Sequence, residues 1–256
     1  MYHIKMIVTD LDRTLLRTDK TISEYSISVF ERLRENGVKI VFATARPVRT
    51  VTQFTKLIQP DAAIYHNGAV IHHMDNIVEK TSISPVEARK VLVDMGNIDP
   101  DMPLSVEIND TLYANFDVSV YWKNIPVVTT DFSDLPDLPV DKIIAGVSCH
   151  KQIDAISKLL PSHLYAEISE NKLALVMHKD ATKHKAVKSV ADKCGIDLHE
   201  IVAFGDDYND VDMLQECGIG VAVTDAIEQT KNAADDLCDI SDRDGVAKWI
   251  AEKILK

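Results

Sequence analysis

IVTDLDRTLL, residues 7–16, joins an apolar run to a tight cluster of polar residues. The run Ile4–Thr9 is mostly apolar and rich in β-branched residues, which predicts a buried strand. Asp10 and Asp12 follow at once, separated by one residue. Neighbouring carboxylates raise each other's pKa unless a positive group lies between them. The stretch therefore predicts a strand that ends in two closely spaced carboxylates. Another part of the chain must place a positively charged group beside them.

The outer parts of the chain alternate between strand-like and helix-like segments. Before the middle of the chain, the pattern predicts a helix over Ser23–Asn36, a strand at Val38–Ala43, a helix over Pro47–Leu57, a strand at Ala62–Tyr65 and a hairpin after the turn Asn67-Gly68. It resumes with a helix over Lys183–Cys194, strands at Ile201–Phe204 and Ile219–Val223, and helices at Asp210–Glu216, Ala226–Ala234 and Val246–Leu255. Such alternation predicts a Rossmann-like, doubly wound parallel sheet in an α/β domain.

The middle of the chain has a different pattern. Two helices and several hairpin-paired strands are predicted there: helices at Pro85–Met95 and Gln152–Leu160, strands at SVEIND and LYANF around the turn Asn109-Asp110, and strands at Lys142–Ser148, Leu164–Ile168 and Leu173–Met177. The segment Asp131–Asp141 is predicted to be an acidic, solvated loop. This mixture indicates an α+β domain inserted at residues 82–178, so that residues 1–81 and 179–256 form one domain around it.

The composition of the chain limits the kinds of molecule that the protein is expected to bind. The chain has 256 residues and a formal net charge of −12, which argues against nucleic acid and against an anionic membrane as a partner. No apolar run has the length of a membrane span, and the first residues lack the layout of a signal peptide. The four cysteines show no C-x-x-C spacing, which predicts reduced thiols and a cytoplasmic protein. No obligate protein partner is indicated.

Polar clusters follow three of the predicted core strands. They are the stretch after Ile4–Thr9, Thr44-Ala45-Arg46 after the second strand, and Gly205–Asp210 after IVAF. Ligands bind at the carboxyl ends of the strands in a doubly wound sheet, so the three clusters are expected to converge.

The converging residues are the reagents of a phosphoryl transfer. Asp10, Asp12 and Asp206 offer the oxygen ligands that Mg²⁺ prefers. An aspartate can also attack phosphorus and form a covalent intermediate. Thr44 and nearby backbone N–H groups can bind phosphoryl oxygens, while a lysine neutralises developing charge.

In this order the motifs resemble those of the haloacid dehalogenase superfamily of phosphatases. The first cluster is similar to its D-x-D-x-T signature, Thr44 to its second motif, Lys183 to its lysine motif, and GDDYND to the G-D-x-x-N-D form of its acidic motif. The insert resembles, in position and size, the C2B cap of the Cof-type (IIB) subfamily. The resemblance implies a Mg²⁺-dependent phosphatase of small phosphorylated metabolites, such as sugar phosphates, that works through an aspartyl-phosphate.

The resemblance also implies the roles of the acids. Asp10 is expected to be the nucleophile and a metal ligand. Asp12 is expected to bind the metal through its backbone carbonyl, while its side chain, with a pKa near neutrality, protonates the leaving alcohol and later activates water. Asp206 would complete the metal site, and Asp210 would support it without touching the metal.

The same resemblance assigns the residues that bind substrate. Thr44 and the Ala45 N–H are expected to hold the phosphoryl group, and Lys183 to bridge Asp10 and the phosphate. Asn209 would contact phosphate or orient Lys183, and Asn67 would lie on the substrate side of the site.

Three positions depart from the family pattern. Arg13 stands where glycine is commoner, and Lys183-His184-Lys185 replaces the usual K-G, which makes Lys185 a rival for the phosphate lysine. The stretch Val223-Thr224-Asp225-Ala226 replaces the commoner M-G-N-A. None of these changes removes a residue that the expected phosphoryl transfer requires.

Two other functions remain open at this point. A receiver-type signalling module also groups aspartates, a threonine and a lysine around Mg²⁺, although the insert and Asp12 argue against it. A phosphoryl transferase or mutase would share the chemistry up to the aspartyl-phosphate. Each residue taken alone also has an ordinary structural explanation, since aspartate is common in turns and at helix starts. Cys149 beside His150 is not expected to be a thiol nucleophile, because adjacent strand residues point to opposite faces.

Overall fold

The computed structural model describes residues 4–73, 76–148, 150–169 and 172–255. Cys149 lies outside the described residues. The chain divides into two compact units, one formed by the residues up to Glu79 with those from Thr182 onward, the other by Lys80–Ala181. No helix in the described part of the chain is long and apolar enough to span a bilayer.

An eight-stranded sheet is the centre of the first unit. Its strands are β1 (Met6–Thr9), β2 (Lys39–Ala43), β3 (Ala62–Tyr65), β4 (Val70–His73), β5 (Asn76–Lys80), β12 (Ile201–Gly205), β13 (Ile219–Val223) and β14 (Asp236–Cys238). They are arranged in the order β14-β13-β12-β1-β2-β3-β4-β5, and the six strands from β14 to β3 run parallel. β4 is antiparallel to β3. The predicted α/β class with a doubly wound parallel sheet is confirmed.

Within the described ranges, six helices accompany this sheet in sequence. They are α1 (Glu24–Glu35), α2 (Thr52–Thr55), α5 (Lys183–Cys194), α6 (Val211–Glu216), α7 (Glu228–Ala233) and α8 (Gly245–Lys253). The predicted helix over Pro47–Leu57 is wrong in its length, because a 3₁₀ turn at Val48–Thr50 is followed only by the single turn of α2. This segment is rich in valine and threonine, whose β-branched side chains lower helix propensity.

The register of the central strands brings the polar clusters to one edge. Thr9 pairs with Phe204 on one side and with Phe42 on the other. Because all three strands are parallel, the residues that follow them leave the sheet together at its carboxyl edge. The strands themselves are apolar and fully buried, for example at Ile7 and Val8, so the residues at the carboxyl edge follow well-packed core strands.

In its described residues, the second unit has a six-stranded sheet and two helices. The strands are β6 (Leu104–Ile108), β7 (Thr111–Ala114), β8 (Val128–Thr129), β9 (Lys142–Gly146), β10 (Leu164–Ser169) and β11 (Leu173–His178), and the helices are α3 (Pro85–Ile98) and α4 (His150–Leu159). The order is β10-β11-β9-β6-β7-β8, antiparallel except for the short β7–β8 pair. β6 and β7 join at Asn109-Asp110 as predicted, with the left-handed backbone that such hairpin turns require.

One prediction for this unit is wrong in part. The segment Asp131–Asp141 is not solvated throughout, because Val140 forms a bridge with Ile83 and Asp141 is buried. The Ser82 hydroxyl donates to Asp141 Oδ1 over 2.8 Å. Burial raises the pKa of the Asp141 carboxyl above its usual value. The acidic composition of the segment gave no sign that Asp141 would be buried.

Candidate active site

Asp10 and Asp206 lie side by side at the carboxyl ends of β1 and β12. The N–H of Asp10 donates to the carbonyl of Phe204 over 3.0 Å, which extends the pairing of the two strands by one residue. One carboxylate oxygen from each of Asp10, Asp206 and Asp210 lies within 4.8 Å of the others, and all three residues are buried. Three buried carboxylates facing one another form a donor set that suits a hard cation.

Lys183 brings positive charge into this cluster. Its Nζ lies 2.6 Å from Asp10 Oδ1 and 2.7 Å from Asp210 Oδ1, and the side chain is only 1% exposed. The rival Lys185 is exposed on the same helix.

The first turn of α5 is held in place by a close backbone contact. Gly68 has a φ of 111°, and a Cβ built on it would lie 2.4 Å from the carbonyl oxygen of Thr182. Only glycine permits this approach, which fixes the residue before Lys183 against the turn after β3.

Burial sets the protonation of the cluster. It raises the pKa of Asp10 well above its usual value, even though the charge of Lys183 acts in the opposite direction. Burial and the charge of Asp210 together raise the pKa of Asp206 to about 7. Burial also lowers the pKa of Lys183, but the carboxylates of Asp10 and Asp210 outweigh it and leave the pKa above its usual value. One ammonium thus does not compensate the three carboxylates, and a further cation would stabilise their ionised forms.

Asp210 has both oxygens engaged within the protein. Oδ1 contacts Lys183, and Oδ2 accepts the N–H groups of Asp206 and Asp207 over 3.0 and 3.2 Å. A Cβ on Gly205 would lie 2.4 Å from the Asp210 Cβ, so glycine is required at this position for the acid to fold back under the loop. Asp210 is therefore placed to orient its neighbours.

Asp12 is held by two cations that the sequence reasoning left without a role. Arg46 contacts both of its carboxylate oxygens, with Nε 2.5 Å from Oδ2 and Nη2 2.6 Å from Oδ1, and Lys20 Nζ lies 2.7 Å from Oδ1. Burial raises the pKa of Asp12, but the hydrogen bonds and charges of Arg46 and Lys20 prevail and lower it to about 2. The expected pKa near neutrality is therefore wrong, because the side chain lies in a forked, charge-assisted pair.

Thr44 and Ala45 follow β2 at the carboxyl edge of the sheet, where Asp10 and Asp206 also lie. The Thr44 hydroxyl accepts the N–H of Arg46 over 3.1 Å and is 1% exposed. A hydroxyl can accept and donate at the same time, so the Thr44 proton can be directed to an acceptor in the site.

Asn67 and Asn209 bond to each other in the same unit. Asn209 Nδ2 donates to Asn67 Oδ1 over 2.9 Å, and Asn67 is buried in a left-handed turn with a φ of 56°. The remaining amide group of Asn67 can still donate. Thr14, the threonine of the first motif, donates its hydroxyl to Asp206 Oδ1 over 3.2 Å, a link that its place in the motif could have suggested.

Comparisons with known proteins identify the family. The family model described as haloacid dehalogenase-like hydrolase matches residues 7–250. The chain belongs to this family. It is an enzyme, and the predictions of the superfamily and of a phosphomonoester hydrolase are confirmed.

Several relatives that align with this hydrolase over nearly their whole lengths are named phosphatases. The 5-amino-6-(5-phospho-D-ribitylamino)uracil phosphatase YitU of Bacillus subtilis (strain 168) is 27% identical over 264 residues, covering 96% of each chain. YcsE, a phosphatase of the same name from that organism, is 26% identical, covering 98% of this chain and 96% of its own. The solved structure of the subclass IIB sugar phosphatase BT4131 shares the fold, with a TM-score of 0.86, 24% identity and 97% and 98% coverage.

Proposed function

We propose that this hydrolase is a Mg²⁺-dependent phosphatase of small phosphorylated metabolites, such as sugar phosphates, and that it works through an aspartyl-phosphate on Asp10. The observation that carries the proposal is the contact of buried Lys183 with Asp10 inside a cluster of three carboxylates. The names of the two uracil phosphatases and of the sugar phosphatase support phosphorylated sugar alcohols or sugars as the substrate class.

Asp10, Asp206 and the backbone carbonyl of Asp12 would hold the metal. When bound, Mg²⁺ offsets the carboxylate charge and polarises a phosphoryl oxygen. The fit rests on the donor chemistry, because three buried carboxylates lie together at this edge and Lys183 is the ammonium that contacts two of them. Asp210 is assigned a supporting role, since its oxygens already bond to Lys183 and to two backbone N–H groups.

Asp10 attacks the substrate phosphorus through a carboxylate oxygen. The new bond joins that oxygen to phosphorus as the bond between phosphorus and the substrate alcohol breaks. Lys183 orients Asp10, favours its ionised form and opposes the negative charge of the phosphoryl group. The Thr44 hydroxyl, the Ala45 N–H and the free amide hydrogens of Asn67 supply neutral donors, and Asn209 holds Asn67 in position.

Asp12 is the general acid of the first half-reaction and the general base of the second. It gives a proton to the departing alcohol and then takes one from the water that attacks the phosphorus of the phospho-aspartate. The new bond joins the water oxygen to phosphorus as the bond between phosphorus and the Asp10 oxygen breaks, which releases phosphate and returns Asp10 to its carboxylate form. In the described arrangement Asp12 is ionised, because Arg46 and Lys20 lower its pKa to about 2. It is therefore ready to act as a base, and it can donate a proton only after the Arg46 pair has opened and the carboxylate has taken up a proton from solvent.

The second unit, Lys80–Ala181, is proposed to be the C2B-type cap domain, and the first unit the core domain. Its six-stranded, mostly antiparallel sheet with two helices supports this assignment. Cys194, Cys217 and Cys238 are free thiols, which supports the proposal of a cytoplasmic enzyme.

Removal of the metal tests the proposed function. Dialysis against a chelator is expected to lower phosphate release from a generic aryl phosphate and from a panel of sugar phosphates by at least about 100-fold. Addition of excess Mg²⁺ should restore it. The measurement is the rate of inorganic phosphate formation, followed in parallel with transfer of phosphate to a sugar alcohol.

Two results would contradict the proposal. Full activity in the chelator would exclude the metal site, and phosphate transfer to the sugar alcohol in preference to water would indicate a transferase. A chelator saturated with Mg²⁺ beforehand is the matched control and should leave the rate unchanged.

A further inference from the structure

Arg13 occupies a strained place in the turn after β1. Its φ of 61° lies in the left-handed region, which residues with a Cβ other than asparagine and aspartate rarely adopt. This explains why glycine is commoner there in the family pattern. An arginine kept in such a conformation points to a use for its side chain.

The Arg13 guanidinium lies between two carboxylates. Nε is 3.9 Å from Asp206 Oδ2, and Nη2 is 3.6 Å from Asp225 Oδ2 and 3.3 Å from the Asp225 backbone oxygen. The Arg13 side chain is 57% exposed, whereas that of Asp206 is 9% exposed. Arg13 and Asp225 are both departures from the family pattern, and they meet each other although 212 residues separate them.

We propose that Arg13 is a built-in competitor of the divalent cation at Asp206, and that Asp225 is its alternative partner. This inference rests on the proposed metal site. A guanidinium beside Asp206 repels an incoming divalent cation and occupies one face of the carboxylate that would bind it. Asp225 already holds the Nη2 end of the guanidinium at 3.3 and 3.6 Å, so Arg13 can withdraw from Asp206 and keep this partner when the cation arrives. The pair would then set the Mg²⁺ concentration at which the site fills.

The exposure of Arg13 and the length of its contact with Asp206 make this exchange possible. The Arg13 side chain is 57% exposed and its Nε lies 3.9 Å from Asp206 Oδ2, so water and salt can screen the guanidinium charge. Arg13 therefore gives way to Mg²⁺ at a small cost, and it weakens metal binding without preventing it. Asp206 keeps its hydrogen bond from Thr14 at Oδ1 in either state, since Arg13 faces the other oxygen.

Titration of the metal-free full chain with Mg²⁺ tests the inference, with calorimetry and the Mg²⁺-induced rise in Tm as readouts and no substrate present. Arg13→Gln is expected to lower the Kd for Mg²⁺ about threefold to tenfold. Arg13→Lys keeps the charge and should stay within about twofold of the wild type. Asp225→Asn should raise the Kd by about twofold to threefold, because Arg13 is left with Asp206 alone.

Two further variants separate the pair from general charge effects. In the Arg13→Gln background, Asp225→Asn should have a smaller effect than in the wild type, because Asp225 acts partly through Arg13. Lys5→Gln removes one charge from the ion pair with Glu200 at the opposite end of β1, and it should leave the Kd unchanged.

The outcomes distinguish the inference from the function on which it rests. If the wild type binds Mg²⁺, Asp206→Asn does not, and Arg13→Gln has the wild-type Kd, the inference is overturned and the metal site stands. If the wild type itself binds no Mg²⁺, both are overturned. Tighter binding by Arg13→Gln with unchanged binding by Arg13→Lys and Lys5→Gln is the predicted result.

Discussion

Asp10→Asn is expected to abolish phosphate release, with a loss of kcat/KM of about 10⁴-fold or more. The amide has nearly the same shape as the carboxylate but cannot attack phosphorus. The fold should persist, because Lys183 keeps its contact with Asp210 at 2.7 Å and the strand pairing at position 10 uses only the backbone. The measurement is steady-state turnover of an aryl phosphate at saturating Mg²⁺, with circular dichroism to verify folding.

Asp207→Asn is the matched control for that variant. It removes the same charge next to Asp206, and the Asp207 Oδ1 that accepts the Tyr208 N–H has an equivalent in asparagine. The activity of this variant should remain within about threefold of the wild type, since screened surface charge has small effects. Full activity in Asp10→Asn would exclude nucleophilic attack by Asp10, and an equal loss in both variants would point to charge alone.

Lys183→Met is expected to affect stability and catalysis together. The change leaves Asp10 and Asp210 buried without their ammonium, which costs about 3–5 kcal/mol of unfolding free energy at neutral pH. Turnover should fall by about 10³-fold or more, because the group that opposes the phosphoryl charge is lost. Urea unfolding of the metal-free protein and steady-state kinetics measure the two effects.

The stability loss in Lys183→Met should depend on pH. Burial raises the pKa of Asp10 well above its usual value, and removal of Lys183 raises it further. An acid with a raised pKa in the folded state binds a proton there that the unfolded chain has already lost, so the unfolding free energy falls as pH rises through that range. The deficit should therefore be smaller near pH 5 than near pH 8.

Lys185→Met provides the control on the same helix. Lys185 is exposed, and its replacement should change the unfolding free energy by less than about 1 kcal/mol. If both lysine variants lose similar stability, or if the loss in Lys183→Met does not change with pH, the buried bridge between the two acids would be contradicted.

Much of the candidate site could be predicted because it depends on local pattern and on one property of parallel sheets. Asp10 and Asp206 follow apolar strands directly, and parallel neighbours β1 and β12 bring their ends together. Lys183 begins a helix, so its place was also defined by a local signal. The parallel sheet itself follows from the alternation of strands and helices, which a single sequence displays.

The contacts of long, flexible side chains could not be predicted in the same way. Arg46 and Lys20 reach Asp12 from different turns, and their pair inverts the expected shift of its pKa. Arg13 and Asp225 each appeared as an isolated departure, because nothing in the sequence indicates that they meet. The direction of a side chain depends on tertiary packing, which local periodicity does not contain.

The most direct test of the central claim is to trap the phosphorylated enzyme. Wild-type protein mixed with substrate and Mg²⁺ should be quenched with acid during turnover and reduced with borohydride, which converts an aspartyl-phosphate to homoserine. Peptide mass spectrometry is then expected to find homoserine at position 10, only after substrate has been added. Steady turnover with unmodified Asp10, or with the phosphoryl group on another residue, would contradict the account.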